Sequence, residues 1–231
     1  MSEVSDWLAT ADRSADWSGV SATVAGLGDS GFAAADALLR VGARVDVIEV
    51  RGLTDSDLLR RRAEVLEVLG ASVIGGVAED CVVTTDLLIP SPGLPPHHAW
   101  IRHARTSLVW SGEQLAWQLR PKAVPWLTVT GTNGKTTTVQ MVKAILDRAG
   151  YTSVAVGNIG VPMAEAIFLE PEPQVFVVEL SSYQLHFTQK ISAHTSALLN
   201  IATDHLDWHG SFEAYELDKG RVFEGTQRAI V

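Results

Sequence analysis

The sequence predicts an α/β protein made of two parallel-sheet domains with helices on both sheet faces. Two observations carry this. Apolar strand-like runs alternate with segments of helical period along most of the chain, the pattern of crossover-connected parallel strands. Twice, a strand-like run passes through a glycine-rich turn straight into a helix, at Gly26-Leu27-Gly28-Asp29-Ser30-Gly31 and at Thr130-Gly131-Thr132-Asn133-Gly134-Lys135-Thr136-Thr137.

The first domain is placed at 1–120. Residues 20–25 read as a strand running into the first glycine turn. Phe32, Ala35, Leu38 and Leu39 then recur at helical spacing, and Gly42 stops that helix. Val45-Asp46-Val47-Ile48-Glu49 is a second strand. A charged helix is expected over 56–69, with Leu58, Leu59, Val65, Leu66 and Leu69 as its apolar face and Gly70 as its stop. Ser72-Val73-Ile74 and Asp86-Leu87-Leu88-Ile89 read as short strands.

Arg120-Pro121-Lys122-Ala123-Val124-Pro125 reads as a linker, since two prolines disfavour continuous helix or strand. The second domain, 121–231, opens with the strand Trp126-Leu127-Thr128-Val129, the second glycine turn, and a helix from Thr137 to Ala149 stopped by Gly150. Strands are expected over 151–156, 174–180 and 196–201. A helix entered near Ser211 carries Lys219. Arg228-Ala229-Ile230-Val231 reads as the start of another strand, so the expectation is a chain cut inside its second domain.

Bulk properties narrow the function classes. The 231 residues are 46% apolar and 19% charged, enough for a substantial core and a polar surface. No run approaches the roughly 20 apolar residues of a membrane span, and the N-terminal residues lack a signal peptide's basic and apolar regions. A net charge of −9 argues against a general nucleic-acid binder. Cys81 is the single cysteine, so no intrachain disulfide can form. It is expected as a packed apolar residue, and the compartment as the cytoplasm.

Each motif has a chemical reading. In the second turn, backbone N–H groups and a helix N-terminus would face phosphates, Lys135 would reach the terminal ones, and the Thr136 hydroxyl would hold magnesium. The common phosphate-loop pattern asks for glycine where Val129 stands. In the first turn, Gly26, Gly28 and Gly31 followed by Glu49 come close to the dinucleotide fingerprint. A nicotinamide or flavin dinucleotide, another nucleotide, or tight packing alone all satisfy that spacing. Ser91-Pro92-Gly93 lies beyond a strand's carboxyl end, where open α/β sheets bind ligands, and equally suits an ordinary turn. Glu179 closes a buried strand beside the phosphate loop and is expected to face a metal. Asp204-His205-Leu206-Asp207-Trp208-His209 is not a zinc spacing, and one histidine beside Mg²⁺ is the more economical reading. His97, His98, His103, His186 and His194 are expected to be surface or packed residues.

Together these stretches resemble the Mur ligases of bacterial cell-wall synthesis, in the branch that adds D-glutamate. The resemblance runs from about Val20 to Phe223. Thr130 to Thr136 is similar to the family's ATP loop, whose form explains the missing first glycine. Gly157-Asn158-Ile159-Gly160, Glu179-Leu180-Ser181-Ser182-Tyr183-Gln184-Leu185 and Asn200 to His209 match the D-glutamate-adding branch. The resemblance implies a Rossmann-like first domain that binds UDP rather than NAD, and a P-loop α/β second domain that binds ATP and Mg²⁺ through Gly131, Thr132, Asn133, Gly134, Lys135, Thr136 and Thr137. It implies that ATP phosphorylates the carboxylate of UDP-N-acetylmuramoyl-L-alanine and that the amine of D-glutamate attacks the acyl phosphate. Lys135, His205 and Lys219 are then the catalytic candidates, Lys219 as a carbamate four residues after Tyr215. Thr136, Glu179 and His205 are the metal candidates. Gly28, Ser30, Gly31, Glu49, Arg51, Ser91, Pro92, Gly93, Asn158 and Ser182 are the substrate candidates.

Two departures stand out. Glu49-Val50-Arg51 replaces an Asp-Thr-Arg of one branch. Family members also carry a third domain that holds D-glutamate, so no ligase turnover is expected from residues 1–231 alone. A monomer is expected, without nucleic-acid or membrane partners. The competing readings are a nicotinamide oxidoreductase carrying a phosphate loop and a nucleotide-sugar-binding module without catalysis.

Overall fold

The structure, a computed structural model, describes residues 3–231. The chain divides into two compact units, Met1–Leu119 and Arg120–Val231.

The first unit runs α1 (Glu3–Leu8), β1 (Ser21–Ala25), α2 (Asp29–Arg40), β2 (Arg44–Glu49), α3 (Asp57–Val68), β3 (Ser72–Gly75), β4 (Thr84–Pro90), α4 (Ala99–Arg102), β5 (Arg105–Val109) and α5 (Gly112–Leu119). Its five parallel strands lie in the order β3-β2-β1-β4-β5. Chain direction across the sheet reverses at β1, so the glycine turn after β1 sits where open α/β sheets form a crevice. Consecutive residues Ala22 to Ala25 and Leu87 to Pro90 are buried, so both faces of the central strands are covered. Helix α2 approaches the sheet closely through small residues, burying Ala33, Ala34, Ala37 and Leu38, while Phe32 and Leu39 are half-buried.

Two expectations are corrected here. In α3 only Leu59, Ala63 and Leu66 are buried, whereas Leu58, Val65 and Leu69 are exposed. The helix lies against the edge strand β3 and α2, so a single i, i+4, i+7 stripe is covered. Cys81 is exposed. It falls in the loop before β4, and burial begins only at Val83.

The second unit runs β6 (Trp126–Thr130), α6 (Lys135–Arg148), β7 (Ser153–Gly157), α7 (Met163–Ala166), β8 (Val175–Glu179), α8 (Ser182–His186), β9 (Thr195–Leu198), α9 (Leu206–His209), α10 (Phe212–Gly220) and β10 (Ala229–Ile230). Its parallel strands lie in the order β10-β9-β6-β8-β7. Helix α6 begins at Lys135, two residues earlier than expected. Strand β9 ends at Leu198 rather than Ile201. The reason is visible in the backbone: Leu199 N–H still bonds Thr130 O, but Asn200 O is taken by Thr132 N–H, so the chain leaves the sheet to hold the glycine loop. Among the described residues no helix is long and apolar enough to cross a membrane.

The two helix-entry glycines of the first unit differ in what a methyl group would meet. A Cβ on Gly31 would stand 2.0 Å from the Gly26 carbonyl oxygen, whereas one on Gly28 meets nothing within 4 Å. Gly31→Ala is therefore expected to destabilise the first unit by roughly 2 kcal/mol or more, and Gly28→Ala by well under about 1 kcal/mol. Urea unfolding followed by far-UV circular dichroism checks this; equal losses would contradict it.

Candidate functional site

The phosphate-type loop of the second unit is held from outside by Asn200. Its side-chain Oδ1 accepts from Asn133 N–H at 2.9 Å, and its Nδ2 donates to Asn133 O at 3.0 Å. Thr132 Oγ1 accepts from Ala202 N–H and lies 2.8 Å from the Tyr215 hydroxyl. Gly134 enters α6 with φ of +83°, the left-handed region that suits glycine. The first helical bond is Thr138 N–H to Gly134 O. The amides of Lys135, Thr136 and Thr137 therefore precede the helix ladder and carry its positive end.

Lys135 Nζ curls back over the loop and donates to Gly131 O at 2.8 Å and Thr132 O at 3.0 Å. Lys219 Nζ donates to the same Gly131 carbonyl at 2.9 Å and lies 4.8 Å from the Tyr215 ring centre. Lys219 is only 2% exposed. Burial, followed by the nearby charge of Lys135, lowers its pKa to about 8, with Asp204 pulling weakly the other way.

Glu179, 1% exposed at the end of β8, joins the loop to the rest of the sheet. Its Oε2 accepts from Thr136 Oγ1 and its Oε1 from Asn158 Nδ2, both at 2.8 Å. Asn158 gets there because Gly157 has no Cβ: one would stand 2.3 Å from Glu179 O. Asn158 N–H then bonds that carbonyl at 2.9 Å. The two side chains that donate to this buried carboxylate are neutral, and one of them is the Thr136 hydroxyl. Such an oxygen set fits a hard divalent cation. His205, at a left-handed φ of +50°, has its backbone N–H on Asp204 Oδ1 and its ring 4.8 Å from that of Tyr183. Lys135, Asn158, Ser182, His205 and Lys219 line one polar cleft with Thr132, Ser181, Tyr183, Asp204 and Tyr215. Thr137 stands exposed in the first turn of α6.

The first unit presents a separate crevice lined by Gly26, Gly28, Glu49, Val50, Arg51, Ser91, Gly93, Leu94 and Trp100. Glu49 is buried at the end of β2. It accepts from Leu27 N–H at 2.9 Å and from both Nε and Nη2 of Arg51. Burial alone would raise its pKa, but the hydrogen bonds from Arg51 and Leu27 outweigh this and hold it below the usual carboxylate range. Ser91 Oγ is buried without a hydrogen-bond partner. It lies where a Cβ on Gly26 would come within 2.4 Å. The turn Ser91 to Leu94, which includes Pro92, is closed by Leu94 N–H on Ser91 O. Gly31 is buried against the Gly26 carbonyl, and Ser30 stands half-buried beside it on α2.

Sequence reading missed several groups at these sites. Asn200, Tyr183 and Asp204 enter that reading only as parts of longer motifs, with no site role, because they stand in loops or short helices where spacing carries no signal. His186, expected as a surface or packed residue, is half-buried, and its Nδ1 meets the same Asp218 oxygen as that of His209.

Lys219 gives a direct test. Between about pH 8 and the ordinary 10.5, the unfolded chain holds more protons at this position than the folded one. Stability is therefore expected to rise with pH across that window. Carbon-13 NMR of the Lys219 Cε, assigned with Lys219→Gln, should show a midpoint near pH 8. A midpoint at the ordinary lysine value would refute the buried-amine account.

Residues 129–231 match the Mur ligase middle domain. The UDP-N-acetylmuramoylalanine–D-glutamate ligase of Streptomyces avermitilis is 48% identical over 221 residues, covering 94% of this chain and 46% of that protein. Its counterpart in Streptomyces coelicolor is 47% identical over 222 residues, covering 94% and 46%. That of Thermobifida fusca is 43% identical over 212 residues, covering 90% and 45%. The chain thus spans a little under half the length of these relatives. Among solved structures, a UDP-N-acetylmuramate:L-alanyl-gamma-D-glutamyl-meso-diaminopimelate ligase from Neisseria meningitides matches with a TM-score of 0.49 at 18% identity, covering 87% of this chain and 66% of that one. Residues 129–231 thus match the Mur ligase middle domain, and nine-tenths of the chain is similar to members of that family that carry D-glutamate ligase names.

Proposed function

We propose that this chain supplies the UDP-substrate unit and the ATP-binding unit of an ATP-dependent ligase. The reaction is the joining of D-glutamate to UDP-N-acetylmuramoyl-L-alanine in peptidoglycan synthesis, in the cytoplasm and with Mg²⁺. The observation that carries the reading is the meeting of Lys135, Thr136, Asn158 and Glu179 at one end of the second sheet, with Lys219 directed at the same loop. The names of the relatives support the choice of substrates.

A triphosphate and a carboxylate repel each other, so a ligase must neutralise charge where they meet. Lys135 is placed to do so by exchanging the Gly131 and Thr132 carbonyls for phosphate oxygens. The α6 amides add a helix N-terminus. Thr136 and Glu179 would hold Mg²⁺, with His205 near a second ion; bound there, the metal would screen phosphate charge. Asn158 orients Glu179 and presents its amide to substrate, and Ser182 lines the same cleft. Lys219, as a carbamate formed when its neutral amine adds CO₂ and releases one N–H proton to solvent, would add an anion next to the loop. In the first unit, Gly28, Ser30 and Gly31 would approach the diphosphate together with Ser91, Pro92 and Gly93. Glu49 and Arg51 would read the uracil end. Ser91 Oγ, buried and without a partner, is a hydroxyl that a phosphate oxygen would satisfy.

Calorimetric titration of the chain tests both units. Magnesium-dependent ATP binding is expected, weakened at least about tenfold by Lys135→Ala and made insensitive to magnesium by Glu179→Gln. UDP-N-acetylmuramoyl-L-alanine is expected to bind and NADH is not. NADH binding without the UDP sugar would return the first unit to the dinucleotide oxidoreductases and overturn the assignment.

A further inference from the structure

Three side chains that sequence spacing does not relate meet against α10. His186 ends α8, His209 ends α9 and Asp218 lies on α10. Both imidazole Nδ1 atoms stand 2.8 Å from one oxygen, Asp218 Oδ2. One ligand atom from each of the three lies within 4.8 Å of the others.

The surroundings are built as well. His209 Nε2 is 2.9 Å from Ser182 Oγ, and Arg221 Nε donates to Asp218 Oδ1 at 3.3 Å. Outer hydrogen bonds of this kind fix the ring tautomer and the carboxylate orientation in imidazole–carboxylate metal sites. The His209 and Asp218 side chains are 1% and 6% exposed, while His186 is 29% exposed and leaves one open side. Ligand atoms about 2 Å from a tetrahedral zinc stand about 3.3 Å apart. The present N···O separations are within about half an ångström of that spacing.

We propose that His186 Nδ1, His209 Nδ1 and Asp218 Oδ2 form a three-ligand site for a divalent transition-metal ion, Zn²⁺, with water as the fourth ligand. Two nitrogen ligands favour zinc over magnesium, which prefers oxygen and sets this site apart from Thr136 and Glu179. Binding needs no net loss of imidazole protons. Each ring moves its proton from Nδ1 to Nε2, where Ser182 Oγ accepts it from His209 and solvent accepts it from His186. Burial, the largest influence on His209, lowers its pKa and favours the neutral ring that a metal needs. Burial alone would raise the Asp218 carboxyl, but its hydrogen bonds from His186 and His209 outweigh this and hold it below the usual range. An ion here would tie α8, α9 and α10 together, one residue before Lys219. The site is independent of the ligase reading, because metal binding is measured without ATP or UDP sugar.

The test titrates the metal-free 231-residue chain with Co²⁺ and then Zn²⁺. One equivalent of cobalt should give the intense visible bands of a four-coordinate ion, bleached by one equivalent of zinc. His186→Ala, chosen because its side chain is partly exposed and its loss spares the fold, and Asp218→Asn should each weaken binding at least about 100-fold, with folding checked by circular dichroism. Ser182→Ala should weaken it about 10- to 100-fold. Glu179→Gln should leave the cobalt spectrum unchanged. Weak six-coordinate bands only, tight binding that survives His186→Ala, or a signal abolished by Glu179→Gln would each overturn the proposal.

Discussion

The second unit is organised around one buried negative charge. Glu179 ends β8 opposite Val129 of β6 and Gly157 of β7, so three strands finish at the same level around it. Burying a carboxylate is costly unless its oxygens are satisfied. Here the donors come from the start of α6 and from the turn after β7. The requirement fixes where the helix begins and how sharply β7 must turn, and it explains why position 157 is glycine: any side chain would strike the Glu179 carbonyl.

The first unit solves the same problem differently. Glu49 also closes a strand and also receives the glycine turn that opens the neighbouring helix. Its remaining capacity is filled by a two-pronged contact from Arg51 on the same chain segment. That carboxylate is charge-neutralised within the protein by Arg51. Glu179 accepts from the neutral side chains of Thr136 and Asn158 instead, so no cationic donor matches its charge. Two glutamates that each close a strand beside a glycine turn thus sit in different electrostatic surroundings because of which groups donate to them.

Much of this was legible in the sequence for a physical reason. A glycine turn between an apolar run and a helix leaves few backbone paths, so both turns and most strands could be placed from pattern alone. The helix that carries Lys219 was legible from Ser211, whose hydroxyl caps Ala214 N–H. The failures have a shared cause. Asn200, His186 and Asp218 act through partners far away in the chain, and no local spacing shows what each of them meets. Cys81 and the apolar face of α3 were misread because hydrophobicity reports what can be buried, while burial depends on whether a neighbouring element covers the position. Lys219 taken by itself was an ordinary surface lysine. Only the resemblance singled it out, and the fold explains why: α10 delivers it to a backbone oxygen in the loop 88 positions earlier.

The Gly131 carbonyl has a consequence of its own. It is a single acceptor shared by two ammonium groups, Lys135 at 2.8 Å and Lys219 at 2.9 Å. Both also carry like charges into a small volume, which is one cause of the weakened proton affinity of Lys219. The arrangement is a competition with a fixed stake. An anion that draws Lys135 away frees the oxygen and removes the nearest repelling charge, so Lys219 gains both a better acceptor and a greater hold on its proton. By thermodynamic reciprocity, the state of Lys219 feeds back on how readily Lys135 departs. The loop and the lysine of α10 are therefore two ends of one balance, and its fulcrum is an atom of the main chain that no side-chain substitution can remove.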